Sequence, residues 1–153
     1  MVRLGIIGTG SISRDALTPA IGEVQSATLW SVLSRDKANA TRFADEHGAV
    51  SSTPAYDEID NFLSDPDLDA VVIATPDKLH AEQTIAAANA GKHVLVEKPM
   101  ATNMKDLKDL IKLAKKSNKF LIAAPFVILS PVYQAIHQEI TKKSIGKISS
   151  ITS

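Results

Sequence analysis

Cysteine is missing altogether from this chain of 153 residues, so no disulfide staples the fold and no thiolate can hold a metal. An excess of one charge is missing too: 17 Lys and Arg balance 17 Asp and Glu. Aromatic residues make up only 5%, and no basic stripe is interleaved with them, which argues against a nucleic-acid surface. No apolar run approaches the roughly 20 residues that cross a bilayer. The N-terminal MVRLGIIGTG has one Arg and a short apolar run broken by glycines, so it reads as neither a signal peptide nor a membrane span. What these absences leave is a soluble, cytoplasmic protein with no membrane partner. A chain of this length buries about 70% of its unfolded surface, enough for one core.

What is present is a succession of apolar runs of strand length: Val2 to Ile7, Ala27 to Leu33, Ala70 to Ala74, Val94 to Val96 and Phe120 to Ala124. They are continuous rather than alternating, as suits strands covered on both faces. Helical patterns lie between them. Asp36 to His47 ends at Gly48, a natural C-terminal stop. Thr53-Pro54 predicts a cap and first position of a short helix through Tyr56, Ile59 and Phe62. Lys78 to Ala90 closes at Gly91, with Thr75 or Asp77 as its expected cap. Met104, Leu107, Leu110, Ile111 and Ala114 form one stripe at helical spacing, and Val132, Ile136 and Ile140 another. Strand and helix in alternation predict an α/β fold, a parallel sheet wound by right-handed crossovers. The tail GKISSITS leans towards strand; an unpaired strand there would invite a homo-oligomer.

Four motifs carry chemistry. In GIIGTGSIS, Gly8 and Gly10 follow a buried strand and precede a helix. In a dinucleotide site the first glycine makes the tight turn and the second lets the main chain approach a pyrophosphate. Ser13 stands where a third Gly or Ala is usual. In LWSVLSRDK, Ser34 and Arg35 fall about 20 residues past that turn, where an acid would take the 2′-hydroxyl of NAD. A hydroxyl and a guanidinium, with Lys37 close by, suit a 2′-phosphate instead, so NADP is favoured over NAD. Asp36 is the counter-indication, because a shift of one or two residues would make it that acid.

In VVIATPDKLH, Thr75 and Pro76 end a strand and His80 falls in the first turn of the next helix, on the edge where open α/β sheets bind ligands. His47, His93 and His137 read as structural or surface residues, and the four histidines have no metal-ligand spacing. In KHVLVEKPMA, Glu97 and Lys98 end a strand on that same edge. A carboxylate there can take hydroxyls of a nicotinamide ribose, and a lysine can transfer a proton to a substrate oxygen as hydride moves. Pro99 restricts the backbone of Lys98.

Taken together, GIIGTGSIS, ATPDKLHAEQTIAAANAGKHVLVEKPMA and SPVYQAI resemble the glucose–fructose oxidoreductase/inositol dehydrogenase/MocA (Gfo/Idh/MocA) family over nearly the whole chain. The resemblance implies a Rossmann domain binding NADP or NAD over residues 1–125. Residues 126–153 would then be the connecting helix and first strand of a C-terminal substrate domain that is absent. It implies hydride transfer to or from a sugar, polyol or related carbonyl compound. Gly8 and Gly10, with Thr9, Ser11 and Ile12, match the pyrophosphate turn. Ser34 and Arg35 match the adenosine-ribose position, and Thr75, Pro76 and His80 the segment near the nicotinamide. Glu97 matches the nicotinamide-ribose ligand and Lys98 the catalytic lysine.

Two departures stand against the family pattern. Relatives run to more than twice this length, and Ile128 and Leu129 replace a customary arginine and aromatic before Pro131. The expectation for this chain alone is cofactor binding with little or no turnover on a small-molecule carbonyl or polyol, unless a substrate domain is supplied. The alternatives are a freestanding dinucleotide-binding module and a vestigial interaction protein.

Overall fold

The computed structural model describes residues 1–124 and 126–150. Six strands, β1 (Val2–Ile7), β2 (Ala27–Leu33), β3 (Ala55–Tyr56), β4 (Ala70–Ile73), β5 (His93–Val96) and β6 (Leu121–Ala123), form one sheet in the order β3-β2-β1-β4-β5-β6. Every pair in it is parallel. The chain winds outward from β1 to β3 on one side, then returns to lay β4 beside β1 and continues to β6. The strand order therefore reverses between β1 and β4, and a crevice opens there outside the carboxyl ends.

Both faces of the sheet are covered, which explains the unbroken apolar runs. On one face Phe43, Ala40 and Ala44 of α2 (Lys37–His47) pack on Ile6, Leu29 and Val32. On the other, Phe62 and Leu63 of α3 (Ile59–Leu63) and Ala87 of α4 (His80–Asn89) meet Ile7, Val71, Ile73, Val94 and Val96. Gly5 makes room for the Phe62 ring; a Cβ there would overlap Phe62 Cζ and come within 2.9 Å of Leu68 Cδ1. Burying such a ring contributes up to about 3 kcal/mol. A π-helical turn (Ser13–Leu17) leads into α1 (Thr18–Glu23), and α5 (Met104–Lys116) starts where Asn103 Oδ1 accepts from the Asp106 N–H at 2.9 Å.

The amino edge of the sheet is held by paired charges. Asp69 accepts from the Arg3 main-chain N–H at 2.8 Å and from its Nε at 3.1 Å. That hydrogen bonding holds the Asp69 carboxyl below the usual carboxylate range. Lys92 is buried, and its ammonium donates to the carbonyls of Asp65 (2.6 Å) and Leu68 (2.9 Å). Burial pushes its pKa down.

Three expectations are corrected. Thr53-Pro54 opens no helix: Ala55 and Tyr56 pair with Val32 and Leu33 as β3, and α3 begins only at Ile59. The short strand wins because its main chain completes the sheet edge beside β2. Neither Thr75 nor Asp77 caps α4; Asp77–Leu79 is a 3-10 turn whose preceding residue is Pro76, and the Thr75 hydroxyl is used elsewhere. Residues 146–150 of the tail form no strand, and the rest of that predicted strand lies outside the described residues.

Residues Met1–Ala123 form one compact unit and Ala124–Ser153 a second. The second carries α6 (Phe126–Leu129) and α7 (Pro131–Thr141), where Pro131 occupies the first turn and Val132 and Ile136 are exposed. Among the described residues no helix is long and apolar enough to cross a membrane.

Candidate functional site

Three strand ends build a cavity of about 520 Å³ at the carboxyl edge. β1 supplies Gly8, Thr9 and Gly10, β2 supplies Ser34 and Arg35, and β4 supplies Thr75 and Pro76. The turn after β1 is sharp because Gly8 sits at φ +103°, where a side chain would be strained and its Cβ would stand 2.7 Å from the Ala74 carbonyl oxygen. Gly10 differs. A Cβ on it would meet nothing within 4 Å, so packing within the protein does not explain its bare main chain. Ser13, in the place of a third small residue, is fully buried, and its hydroxyl donates to the Gly8 carbonyl at 2.7 Å, tying helix to turn. Ser11 and Ile12 are exposed in the first helical turn and do not line the cavity.

At the end of β2 the polar groups sort themselves. Asp36 caps α2, its carboxylate accepting from the N–H groups of Ala38 (2.8 Å) and Asn39 (3.1 Å). Both bonds engage Oδ1, and Asp36 does not line the cavity. Lys37 is drawn away as well, donating to the Ala55 carbonyl and lying 5.4 Å from the Tyr56 ring centre. Arg35 remains exposed, with no side-chain hydrogen bond or ion pair among the described residues, and Ser34 Oγ lies 3.5 Å from Thr9 Oγ1. The basic group that faces the cavity is thus Arg35.

Past β4, Thr75 donates through Oγ1 to Gln83 Oε1 at 2.6 Å. His80 departs from its expected role as a direct cofactor contact. It is 1% exposed, with Nδ1 2.8 Å from the Pro99 carbonyl oxygen and Nε2 2.7 Å from the Thr75 carbonyl oxygen. Each ring nitrogen thus lies against a main-chain carbonyl oxygen, a neutral ring donating to one of the two, and neither nitrogen is left for a ligand. The imidazole instead joins the end of β4 to the turn after β5. That turn carries Glu97 and Lys98, one strand further along the same edge, where the Glu97 N–H donates to the Ile73 carbonyl at 2.9 Å. Glu97 is 8% exposed, and among the described residues its carboxylate accepts only from the Lys98 N–H, at 3.3 Å. Lys98 is exposed, without a side-chain partner among the described residues, and its bond to Pro99 is cis.

The sequence reading missed Asp57, Ile59, Leu79, Glu82 and Gln83, which complete the cavity wall. Asp57 follows a strand of two residues, too short to show a period. Gln83 could have been found: it lies one helical turn beyond His80, on the helix that opens at this edge.

Comparison with known proteins agrees with this architecture. Residues 2–124 match the oxidoreductase family with an NAD-binding Rossmann fold, GFO_IDH_MocA. The chain is 33% identical over 151 residues to scyllo-inositol 2-dehydrogenase (NADP(+)) IolU of Bacillus subtilis, covering 99% of this chain and 43% of that protein. It is 32% identical over 147 residues to 1,5-anhydro-D-fructose reductase of Ensifer adhaerens, covering 96% and 43%. Among solved structures it resembles the 3-ketoreductase KijD10 of Actinomadura kijaniata in complex with NADP, with TM-score 0.84, 28% identity and coverage of 96% and 46%. It also resembles the WlbA dehydrogenase of Chromobacterium violaceum in complex with NADH and UDP-GlcNAcA, with TM-score 0.86, 28% identity and coverage of 96% and 41%. The chain therefore spans less than half the length of each of these relatives. With its six parallel strands, its glycine turn and a match over residues 2–124, it belongs to the Gfo/Idh/MocA oxidoreductase family, of which it carries the NAD-binding Rossmann domain.

Proposed function

We propose that this chain binds NADP(H), in preference to NAD(H), as the cofactor domain of an oxidoreductase acting on a sugar, polyol or related carbonyl compound. Residues 1–125 would form that domain and 126–153 the connection to a substrate domain. The observation that carries the reading is the convergence of Gly8 and Gly10, Ser34 and Arg35, and Thr75 and Pro76 on one cavity, with open space over Gly10. NADP is favoured because the cavity end of β2 offers Arg35, while Asp36 caps α2 through Oδ1 and does not line the cavity.

The residues divide the work. Main-chain groups of Gly8, Thr9, Gly10, Ser11 and Ile12 take the pyrophosphate, and Ser34 and Arg35 the adenosine 2′-phosphate. Thr75 and Pro76 wall the nicotinamide half, and Glu97 accepts hydroxyls of the nicotinamide ribose. His80 acts at one remove, as a positioning residue for the Glu97–Lys98 turn. When bound, the nicotinamide supplies or accepts the hydride. Lys98 gives a proton to the carbonyl oxygen as that carbon is reduced, and takes it back in the reverse direction. Residues 1–153 by themselves are expected to bind cofactor with little or no turnover.

Titration of the wild type and Arg35→Ala with NADPH and NADH tests the reading. Arg35→Ala should weaken NADPH about tenfold and leave NADH within about twofold, the loss of one charge-assisted contact. Equal losses with both cofactors would remove the phosphate assignment, and no binding of either to the wild type would remove the function.

A further inference from the structure

A second, smaller cleft of about 170 Å³ adjoins the cofactor cavity, and its lining is polar apart from a buried Phe43. Thr9 belongs to both walls. Beyond it stand Arg14, one turn into the helix that follows the glycine loop, and Asn39, Arg42 and Glu46 on α2. Arg42 is held in place through Nη2, which donates to Asn39 Oδ1 at 2.6 Å, and its other guanidinium donors remain available. Neither Arg14 nor Arg42 forms an ion pair with Glu46, or with any other acid among the described residues, although Glu46 shares the cleft.

Two guanidinium groups, converging from two helices on a polar cleft, suit a dianionic phosphate. The space would hold several waters at about 30 Å³ each, which such a group can displace. The location decides which phosphate. Thr9 Oγ1 is 3.5 Å from Ser34 Oγ, the side chain at the adenosine-ribose position, so the cleft opens beside the ribose carbon that distinguishes the two cofactors.

We infer that Arg14 and Arg42 are further specificity-determining residues, which grip the 2′-phosphate of NADP(H) from the side opposite Arg35. The inference rests on the cofactor reading given above but names residues that reading does not use. It also gives Glu46 a role: its carboxylate lowers the positive potential of the cleft, which limits how tightly the phosphate is held.

Calorimetric titration of the whole chain with NADPH, NADH, adenosine 2′,5′-bisphosphate and AMP tests it, after thermal melts show each variant folded. Arg14→Ala and Arg42→Ala should each weaken NADPH and adenosine 2′,5′-bisphosphate roughly tenfold, with NADH and AMP within about twofold of wild type. Glu46→Gln should tighten the first pair about two- to threefold, a change of sign that loss of helix stability would not produce. If Arg35→Ala weakens NADPH selectively while Arg14→Ala and Arg42→Ala do not, the cofactor reading stands and this inference is overturned. Equal weakening of NADPH and NADH by the Arg14 and Arg42 variants would also overturn it, moving the arginines to the pyrophosphate. Wild type that favours NADH would overturn the NADP reading together with the inference.

Discussion

The two edges of the sheet use charge in opposite ways. At the amino edge, Arg3 is paired with Asp69 and Asp67, and the Lys92 ammonium is satisfied by two carbonyls. At the carboxyl edge, Arg35 and Lys98 have no side-chain partner among the described residues, and Glu97 has only its neighbour's N–H. The residues are of the same chemical types and lie on the same sheet. Charges that close on each other at one edge hold the fold together. Those left open at the other, where Arg35 lines the cavity built by Gly8, Gly10 and Thr75, are available to a ligand. Substitutions at the first edge should therefore move stability, and substitutions at the second should move binding.

The strongest break in that division is expected from Gly10→Val. Open space around the Cβ position admits the side chain in the free protein, so the melting temperature should hold within a few degrees. NADPH affinity should fall more than about 100-fold, because the side chain occupies the ground the pyrophosphate needs. His80→Ala, although at the carboxyl edge, should behave structurally, costing about 2–4 kcal/mol in urea unfolding by removing the imidazole that joins the Thr75 and Pro99 carbonyls and leaving a cavity in its place. Lys92→Ala should cost about 2 kcal/mol for the like reason at the amino edge, with cofactor affinity unchanged in the folded protein. A loss of NADPH binding in Lys92→Ala at temperatures where it stays folded would blur the two edges.

The smallest effect is one of pH. Asp69 is held below the usual carboxylate range by Arg3, so its folded pKa lies under its unfolded one. Its stabilisation is complete above about pH 5, a unit over the unfolded value, and is lost as the pH falls through the folded value. Asp69→Asn should remove that portion of the acid sensitivity between about pH 5 and 2 in urea melts. The difference should be under about 1 kcal/mol because the pair is partly exposed.

Much of this was legible in the sequence, for definite reasons. Strands covered on both faces need continuous apolar runs, so β1, β2, β4, β5 and β6 could all be read from composition and length. The glycine turn was legible because Gly8 occupies a backbone conformation few other residues adopt. β3 was not, since two residues carry no period and Thr53-Pro54 imitates a helix start. The role of His80 was hidden for another reason: proximity to a ligand edge says nothing about which carbonyls a ring nitrogen will find, and both are main-chain groups brought in by the fold. That Asp36 caps α2 was hidden as well, because only the folded main chain brings the N–H groups of Ala38 and Asn39 to its carboxylate.

The most direct measurement of the central claim locates the ligand rather than its affinity. An amide chemical-shift map of the chain titrated with NADPH should show its largest changes at Gly8, Thr9, Gly10, Ser34, Arg35 and Thr75. The amides of Arg3, Asp69 and Lys92, at the opposite edge, should stay still. Shifts confined to the amino edge, or saturation with no change in the glycine turn, would contradict the assignment of the carboxyl edge as the cofactor site.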